Sequence, residues 1–303
     1  MNQDNTPVVG LVGLGAMGSG MAQSLRRAGH APHVFDARPG VAEAFARDGG
    51  RASDTLAALG AQCDIVVSVV VNAAQTESVL FGDGTTPGCA ASMKPGSLFV
   101  MCSTVDPNWS VALEARLEKL GLLYLDAPIS GGAAKAASGQ MTMMTAGTPA
   151  AYARAGGVLD AMAAKVYRLG DSAGAGSKVK VINQLLAGVH IAAAAEAMAL
   201  GLREGVDPDA LYEVITHSAG NSWMFENRMA HVLAGDYTPL SAVDIFVKDL
   251  GLVLDTARRS KFPLPLSAAA HQMFMMASTA GHGGEDDSAV IKIFPGIDLP
   301  AAK

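Results

Sequence analysis

Short apolar runs alternate with longer segments of mixed polarity along the first half of the chain. Four runs are rich in Val and Ile, and they cover residues 8–12, 33–36, 65–71 and 98–102. Short, largely apolar runs of this length are typical of parallel strands buried on both faces of a sheet. The stretches between them have helical periodicity and include residues 17–28, 41–47 and 109–120. The alternation predicts an α/β domain with a doubly wound parallel sheet.

Three shorter apolar stretches follow, and we expect them to extend the same sheet. They cover residues 122–126, 141–146 and 165–169. The alternation of strands and helices then ends near Asp171. Residues 171–177 (DSAGAGS) are small and turn-like, which predicts a flexible boundary between two domains.

One uninterrupted helix, from residue 178 to residue 204, is expected beyond this boundary. The rest of the chain has helical periodicity and little strand signal. The sequence thus predicts an α/β domain in residues 1–172 and an all-α domain in residues 173–303, joined by a long interdomain helix.

Composition narrows the class of protein. Hydrophobic residues make up 50% of the 303 residues, which excludes a disordered chain. The net charge of −6 argues against a nucleic-acid partner, because such binding depends on Lys and Arg that neutralise phosphates. No metal is expected, since the seven histidines lack His-x-x-x-His spacing and the three cysteines lack Cys-x-x-Cys spacing.

We expect a cytoplasmic protein without a membrane partner. Residues 1–7 are polar and carry an acid where a signal peptide would carry basic residues. The most membrane-like stretch, residues 185–200, is shorter than a membrane span and contains His190 and Glu196. A buried helix is the better interpretation of this stretch.

A Gly-x-Gly-x-x-Gly motif lies directly after the first predicted strand and opens the first predicted helix. The motif consists of Gly13, Leu14, Gly15, Ala16, Met17 and Gly18. In Rossmann-type domains the first glycine permits a tight turn, the second admits a pyrophosphate and the third allows close helix–strand packing. The alternative is a glycine-rich turn that binds no ligand.

Asp36 bears on the choice of cofactor, because it ends the second predicted strand about 20 residues after the motif. Its carboxylate could accept hydrogen bonds from both ribose hydroxyls, which favours NAD and would repel a 2′-phosphate. Arg38 could instead pair with such a phosphate. We predict NAD, with NADP as the alternative.

Polar residues also stand where a substrate could bind. Ser130, Gly131 and Gly132 form a turn that could hold a carboxylate on its backbone amides, or could be simply a flexible loop. Lys180 and Gln184 share one face of the long helix. With the neighbouring Asn183 they could bind hydroxyl groups; the alternative is a solvated helix face.

Four stretches together resemble the β-hydroxyacid dehydrogenases, the family that includes 3-hydroxyisobutyrate dehydrogenase and tartronate semialdehyde reductase. They are residues 13–22 (GLGAMGSGMA), 126–142 (DAPISGGAAKAASGQMT), 174–188 (GAGSKVKVINQLLAG) and the pair Lys248-Asp249. They occur in the family's order and span nearly the whole chain. The resemblance implies an NAD-binding Rossmann domain followed by a helical domain for substrate and oligomer contacts.

Further stretches are most similar to family members that oxidise L-threonate. They are residues 71–75 (VNAAQ), 221–228 (NSWMFENR), 237–253 (YTPLSAVDIFVKDLGLV) and 285–294 (EDDSAVIKIF). This likeness implies NAD-dependent oxidation of L-threonate at C2 to 2-oxo-tetronate. The alternative substrates are 3-hydroxyisobutyrate, glycerate or tartronate semialdehyde, and 4-hydroxybutyrate. A non-catalytic NAD-binding sensor is the alternative that is not an enzyme.

The resemblance also assigns roles to residues. Lys180 matches the catalytic lysine, and residues 130–132 match the loop that binds the substrate carboxylate. Asn183 and Gln184 are expected to orient substrate hydroxyls, although many members have Asn where Gln184 stands. Besides the glycine motif and Asp36, the residues expected to bind the cofactor are Val70, Val71, Gln75, Thr104 and Lys248.

The long helix bears on assembly as well. It is rich in Ala and Met and would expose apolar surface in a monomer. We therefore expect a homodimer or homotetramer in which the helical domain carries the contacts.

Overall fold

The computed structural model describes residues 6–302, and the chain divides into two compact units, Met1–Lys180 and Val181–Lys303. Six parallel strands and their flanking helices open the first unit. In chain order they are β1 (Val9–Val12), α1 (Ala16–Arg27), β2 (His33–Phe35), α2 (Val41–Arg47), β3 (Arg51–Ala52), α3 (Leu56–Gln62), β4 (Ile65–Ser68), α4 (Ala73–Phe81), β5 (Leu98–Met101), α5 (Pro107–Glu118) and β6 (Leu123–Asp126).

The strands of this sheet lie in the order β3-β2-β1-β4-β5-β6, and every pairing is parallel. The predicted doubly wound sheet is therefore confirmed. Ile65 and Val67 belong to one hydrophobic core, and Val66 between them belongs to another. Because alternate residues of a strand face opposite sides of a sheet, burial on both faces explains the largely apolar runs.

A second, three-stranded sheet completes the first unit and corrects one prediction. Its strands and the nearby helices are β7 (Ile129–Ser130), α6 (Gly132–Ser138), β8 (Met141–Thr145), α7 (Pro149–Ala155), α8 (Val158–Met162) and β9 (Ala163–Arg168). Of the three stretches expected to extend the first sheet, only β6 does so. β7 pairs antiparallel with β8, and β9 pairs with β8 in this separate sheet. Pro128, which has no N–H to donate, stands where the chain leaves the first sheet.

The long helix α9 (Ala175–Arg203) has 29 residues and begins before the predicted residue 178. Within residues 6–302, α9 is the one helix long and apolar enough to cross a membrane by length and composition alone. The buried share of its most apolar window is 44%, and core helices of soluble proteins pass the same test.

Helices form the described part of the second unit, and residues 181–302 contain no β-strand. After α9 the elements are α10 (Pro208–Thr216), α11 (Trp223–Ala234), α12 (Val243–Arg259), α13 (Pro265–Ala277), a π-helical turn (Ser278–His282) and a 3₁₀ helix (Asp287–Ile293). The prediction of a second, all-α part of the fold is confirmed.

The three cysteines lie in the interior of the first unit. Cys63, Cys89 and Cys102 are free and buried. Burial raises the pKa of each thiol to about 12. Because the thiolate is the reactive form of cysteine, these three side chains are inert core residues.

A buried ion pair and a contact between a histidine and a carboxylate tie α11 to the segment around the 3₁₀ helix. The guanidinium of Arg228 donates to both carboxylate oxygens of Asp287, whose side chain is fully buried. His231 of the same helix lies 3.1 Å from the carboxylate of Asp286. Burial raises the pKa of Asp287 to about 6, although Arg228 acts in the opposite direction. The carboxylate of Asp287 therefore depends on Arg228 to remain charged in the interior.

Replacing Arg228 by Leu should lower the free energy of unfolding by about 3 kcal/mol or more at neutral pH, because Asp287 would stay buried without its partner. The loss should shrink as the pH falls toward about 6, because there Asp287 begins to take up a proton in the native protein as well. Denaturant unfolding followed by tryptophan fluorescence measures both effects. Arg258→Leu is the control, since its exposed pair with Asp255 contributes less than about 1 kcal/mol. Equal losses in the two variants would contradict this interpretation.

Candidate functional site

The glycine motif forms the turn between β1 and α1, and its three glycines meet different constraints. Gly13 has φ +93°, and a Cβ there would lie 2.5 Å from the carbonyl oxygen of Val69. A Cβ at Gly18 would lie 1.8 Å from the carbonyl oxygen of Gly13. A Cβ at Gly15 would meet no atom within 4 Å. The protein's own backbone thus requires the outer two glycines, whereas the space beside Gly15 is open to a ligand.

The start of α1 is suited to an anion. Gly15 is its N-cap and makes no side-chain hydrogen bond, and the first turn contains no acidic residue. The first amides of a helix point out along its axis and carry partial positive charge. The pyrophosphate of a dinucleotide therefore fits this position, with the amides near Ala16 and Met17 as donors.

Asp36 follows β2 and lies beside the glycine turn. Its Oδ2 accepts a hydrogen bond from the backbone N–H of Leu14 at 2.7 Å. Arg38 donates from Nε to Oδ1 at 2.9 Å and from Nη2 to Oδ2 at 3.0 Å. Nη2 also donates to the carbonyl of Leu14 at 3.1 Å. The hydrogen bond from Arg38 is the main cause that lowers the pKa of Asp36 to about 2, so this carboxylate is ionised.

Other predicted cofactor residues lie just beyond the carboxyl ends of β4 and β5. The N–H of Val71 donates to Oε1 of Gln75 at 2.7 Å. Ser103, which precedes Thr104, donates to the carbonyl of Val70 at 2.7 Å. The strand β4 lies between β1 and β5, and all three are parallel. These residues and the glycine turn therefore lie together at the carboxyl ends of neighbouring strands. The chain changes direction across the sheet between β1 and β4, and ligands of open α/β sheets bind at such a point.

The Ser-Gly-Gly turn connects β7 to α6. Gly131 has φ +140° and Gly132 has φ +74°, so the turn depends on glycine at both positions. Gly131 is the N-cap of α6, and the first turn of that helix contains no acidic residue. A Cβ at Gly132 would meet no atom within 4 Å. Together with Ser130, the turn presents backbone amides in an open position that suits a carboxylate.

The start of α9 is held by a buried acid and is not a flexible linker as predicted. Asp126, the last residue of β6, is fully buried. Its Oδ2 accepts from the N–H groups of Gly174 and Ser177, both at 2.9 Å, and its Oδ1 accepts from Oγ of Ser177 at 2.6 Å. Lys180 follows three residues later, and only 7% of it is exposed. The small residues of 171–177 therefore reflect close packing.

The second unit contains the other predicted substrate residues in one polar network. The amide nitrogen of Gln184 donates to Oδ2 of Asp249 at 2.6 Å, and its Oε1 accepts from Asn183 at 3.0 Å. Nζ of Lys248 lies 2.7 Å from Oδ1 of Asp249. Gln184 and Asp249 are both buried. The network joins α9 to α12.

Asp249 is the member of this network whose role the sequence analysis did not assign. A signal for it was present, because Asp249 occurs among the buried residues of α12 with Phe246, Leu250 and Val253. A carboxylate on a buried helix face needs a polar partner. Within residues 6–302, no group of three or more His, Cys, Asp or Glu side chains is arranged to hold a metal ion.

Two protein-family models match the chain. The NAD binding domain of 6-phosphogluconate dehydrogenase matches residues 8–170. The model described as NAD-binding of NADP-dependent 3-hydroxyisobutyrate dehydrogenase matches residues 174–294. Both matches point to a nicotinamide dinucleotide as the cofactor.

Known proteins are similar to this chain over nearly its full length. The L-threonate dehydrogenase of Cupriavidus necator is 71% identical over 96% of this chain and 97% of its own length. The L-threonate dehydrogenase of Escherichia coli strain K12 is 53% identical over 97% of both chains. The crystal structure of a 3-hydroxyisobutyrate dehydrogenase from Salmonella typhimurium is 55% identical, has a TM-score of 0.90 and covers 94% of this chain and 99% of that chain.

The fold, the open glycine turn and these similarities all indicate the same family of dehydrogenases. A relative that is 71% identical over almost the whole length leaves no large segment outside the comparison. The chain belongs to the β-hydroxyacid dehydrogenase family typified by 3-hydroxyisobutyrate dehydrogenase, and it is an NAD(P)-dependent hydroxyacid dehydrogenase.

Proposed function

We propose that this enzyme oxidises L-threonate at C2 to 2-oxo-tetronate with NAD as the acceptor. The observation that carries the proposal is the 71% identity to an L-threonate dehydrogenase over 96% of the chain. Four more relatives with that name are 52% or 53% identical over at least 96% of the chain. By contrast, a 2-(hydroxymethyl)glutarate dehydrogenase and the mouse mitochondrial 3-hydroxyisobutyrate dehydrogenase are 35% and 32% identical.

The bound nicotinamide would supply the acceptor for the hydride that leaves C2. The chain's own residues must then hold the substrate and remove the proton of the C2 hydroxyl. We assign the substrate carboxylate to the backbone amides of residues 130–132. Lys180 takes the hydroxyl proton as a general base and returns it as a general acid in the reverse direction. Asn183 and Gln184 orient the remaining hydroxyls.

The state of Asp36 supports NAD rather than NADP. Its ionised carboxylate is fixed beside the glycine turn, where it would accept from ribose hydroxyls and repel a 2′-phosphate. The guanidinium of Arg38 is already bonded to Asp36 and to the carbonyl of Leu14. The remaining cofactor residues that we propose are Val70, Val71, Gln75, Thr104 and Lys248.

Oxidation of 3-hydroxyisobutyrate is the second candidate, since the 55% identical crystal structure carries that name. Position 184 favours the sugar acid instead. Gln184 is one methylene longer than the Asn of many family members, and it is bonded to the buried Asp249. The polar network of Gln184, Asn183 and Asp249 suits a substrate with several hydroxyls, because a site built to bond a hydroxyl rejects a substrate that lacks it. The alternative of a non-catalytic NAD-binding sensor is disfavoured, because it gives Lys180 no chemical role.

We further propose that residues 1–172 bind NAD and that residues 173–303 serve substrate binding and oligomer contacts in a cytoplasmic enzyme. The surface of α9 supports the oligomer. Ile182, Leu186 and Leu200 are 59%, 50% and 61% exposed, and their spacing places them on one helix face. An apolar stripe of this kind suits a homodimer or homotetramer.

The substrate proposal is tested by measuring NADH formation with a panel of hydroxyacids. We expect kcat/KM for L-threonate to exceed that for D-threonate, erythronate and 3-hydroxyisobutyrate by about tenfold or more.

Lys180→Ala should lower kcat by about 10²- to 10⁴-fold and leave NADH affinity nearly unchanged. Lys178→Ala, an exposed lysine on the same helix, is the matched control and should stay active. A preference for 3-hydroxyisobutyrate, or an active Lys180→Ala variant, would refute the assignment.

Cofactor preference is tested at Asp36. Asp36→Ala should weaken NADH binding about tenfold or more, because hydrogen bonds to a charged group contribute about 1.5–3 kcal/mol each. NADPH binding should weaken less, since a repelling charge is removed at the same time. Arg38→Ala is the companion variant and should weaken NADPH more than NADH. Fluorescence titration gives the Kd values, and an unchanged ratio in Asp36→Ala would remove this residue from the ribose site.

The assembly is tested by light scattering. The native enzyme should have the mass of two or four chains of 30.9 kDa. Leu186→Glu should shift the enzyme toward a smaller species, because it places a charge in the apolar stripe of α9. Leu120→Glu, at an equally exposed leucine of the first unit, is the control and should keep the native mass. A stable native monomer would overturn this part of the proposal.

A further inference from the structure

The helix that carries Lys180 begins without a capping side chain of its own. Gly174 precedes α9 with φ +103° and has no side chain that could accept a hydrogen bond. In most helices a side-chain oxygen of the N-cap residue accepts from the N–H of the second or third helical residue. Ser177 is the third residue of α9, and its N–H donates to Asp126 instead, at 2.9 Å. Asp126 thus caps α9 from the end of β6.

This anchor leaves the start of α9 little freedom. Burial raises the pKa of Asp126, and three hydrogen bonds from Gly174 and Ser177 act in the opposite direction. A Cβ at Gly176 would lie 2.4 Å from the carbonyl oxygen of Met144, so the helix backbone is packed against β8. A shift of the helix start would collide with β8 or break bonds to a buried carboxylate.

A second acid holds the residue before the cap. The N–H of Ala173 lies 3.1 Å from both carboxylate oxygens of Glu114, on α5. The helix α5 and the strand β6 of the first unit therefore both hold the chain just before α9. Of the two acids, Asp126 bonds a residue that lies inside the helix, and only Asp126 is fully buried.

The position of Lys180 follows from this anchor. Ser177 and Lys180 are three residues apart, which places them next to each other on one helix face. Helical side chains lean toward the N-terminus of their helix, so we expect the stem of Lys180 to lie over the turn that Asp126 holds. Because Lys180 is 93% buried, its stem cannot rearrange freely in solvent.

We propose that Asp126 is the positioning residue for the amine of Lys180, acting through its hydrogen bonds to the first turn of α9. The inference rests on the proposed role of Lys180 in proton transfer. Asp126 acts through the helix and is assigned no contact with substrate or cofactor. A misplacement of about 1 Å can cost about 10²-fold in rate, so a loosened anchor should reduce kcat more than it weakens ligand binding.

Two variants of different severity test the proposal. Asp126→Asn keeps the size of the side chain and removes its charge and one acceptor, and Ser177→Ala removes one of the three bonds. We expect kcat with L-threonate to fall about 10²-fold in Asp126→Asn and about tenfold in Ser177→Ala. KM for L-threonate and Kd for NADH should stay within about threefold of the native values.

A direct readout of Lys180 accompanies the kinetics. Acylation of lysines in the enzyme without substrate, resolved by peptide mass spectrometry, should proceed faster at Lys180 in both variants than in the native enzyme. Asp207→Asn is the matched control, because it removes the capping carboxylate of α10, which holds the N–H of Ala210. It should change neither kcat nor the acylation rate of Lys180.

The outcomes separate this inference from the proposed function. If Lys180→Ala is inactive while Asp126→Asn and Ser177→Ala keep kcat within about twofold of native, the inference fails and the proposed function stands. If Lys180→Ala keeps its turnover, both fail. Equal losses in kcat, substrate KM and NADH affinity would assign Asp126 a general structural role and would also overturn the inference. Should Asp126→Asn not fold, Ser177→Ala alone decides the matter.

Discussion

The backbone of α1 approaches the end of β1 more closely than any side chain would permit, and the cofactor half of the site depends on this approach. Adding a Cβ to Gly18 would bring it 1.8 Å from the carbonyl oxygen of Gly13. With the helix so close, the amides at its start converge on the open position beside Gly15. Leu14 is brought within hydrogen-bond distance of Asp36 at the same time. One steric requirement thus links the phosphate end of the site to the ribose end.

Buried carboxylates organise the rest of the molecule. Asp126 accepts backbone and hydroxyl donors at the start of α9, and Asp249 accepts the amide of Gln184 and pairs with Lys248. In each case the acid accepts a hydrogen bond from a residue on a different element, which is α9 both times. A buried carboxylate is costly unless it is bonded, so such acids fix the relative position of the two elements within a unit. The residues proposed for catalysis and for substrate recognition are therefore held by groups that do not react.

The elements that the sequence predicted well are those whose requirements are local. A strand buried on both faces must be mostly apolar, and β1, β4 and β5 follow that rule without any long-range information, with Ser68 the one polar residue among them. The glycine motif is equally local, because positive φ at Gly13 and close contact at Gly18 arise within one turn. Family likeness then supplied the order of the remaining motifs, and the comparisons with known proteins confirmed the family.

The features that were missed depend on distant partners. The composition of residues 141–146 fits a buried strand of the first sheet as well as one of the second sheet. It could therefore not reveal that β8 pairs with β7 and β9. Small residues serve a flexible linker and a tightly packed turn equally well, and only the bonds to Asp126 distinguish these cases at residues 174–177. The partner of Gln184 lies 65 positions away in the chain, at Asp249.

The inert cysteines have a practical consequence for experiments on this enzyme. Thiol-directed reagents attack the thiolate, and the three native thiols are both inaccessible and protonated at neutral pH. A single cysteine introduced at an exposed position would therefore be the reactive one in the folded enzyme. The native chain can serve directly as the background for a fluorescent dye or spin label, without first replacing core residues whose packing stabilises the fold.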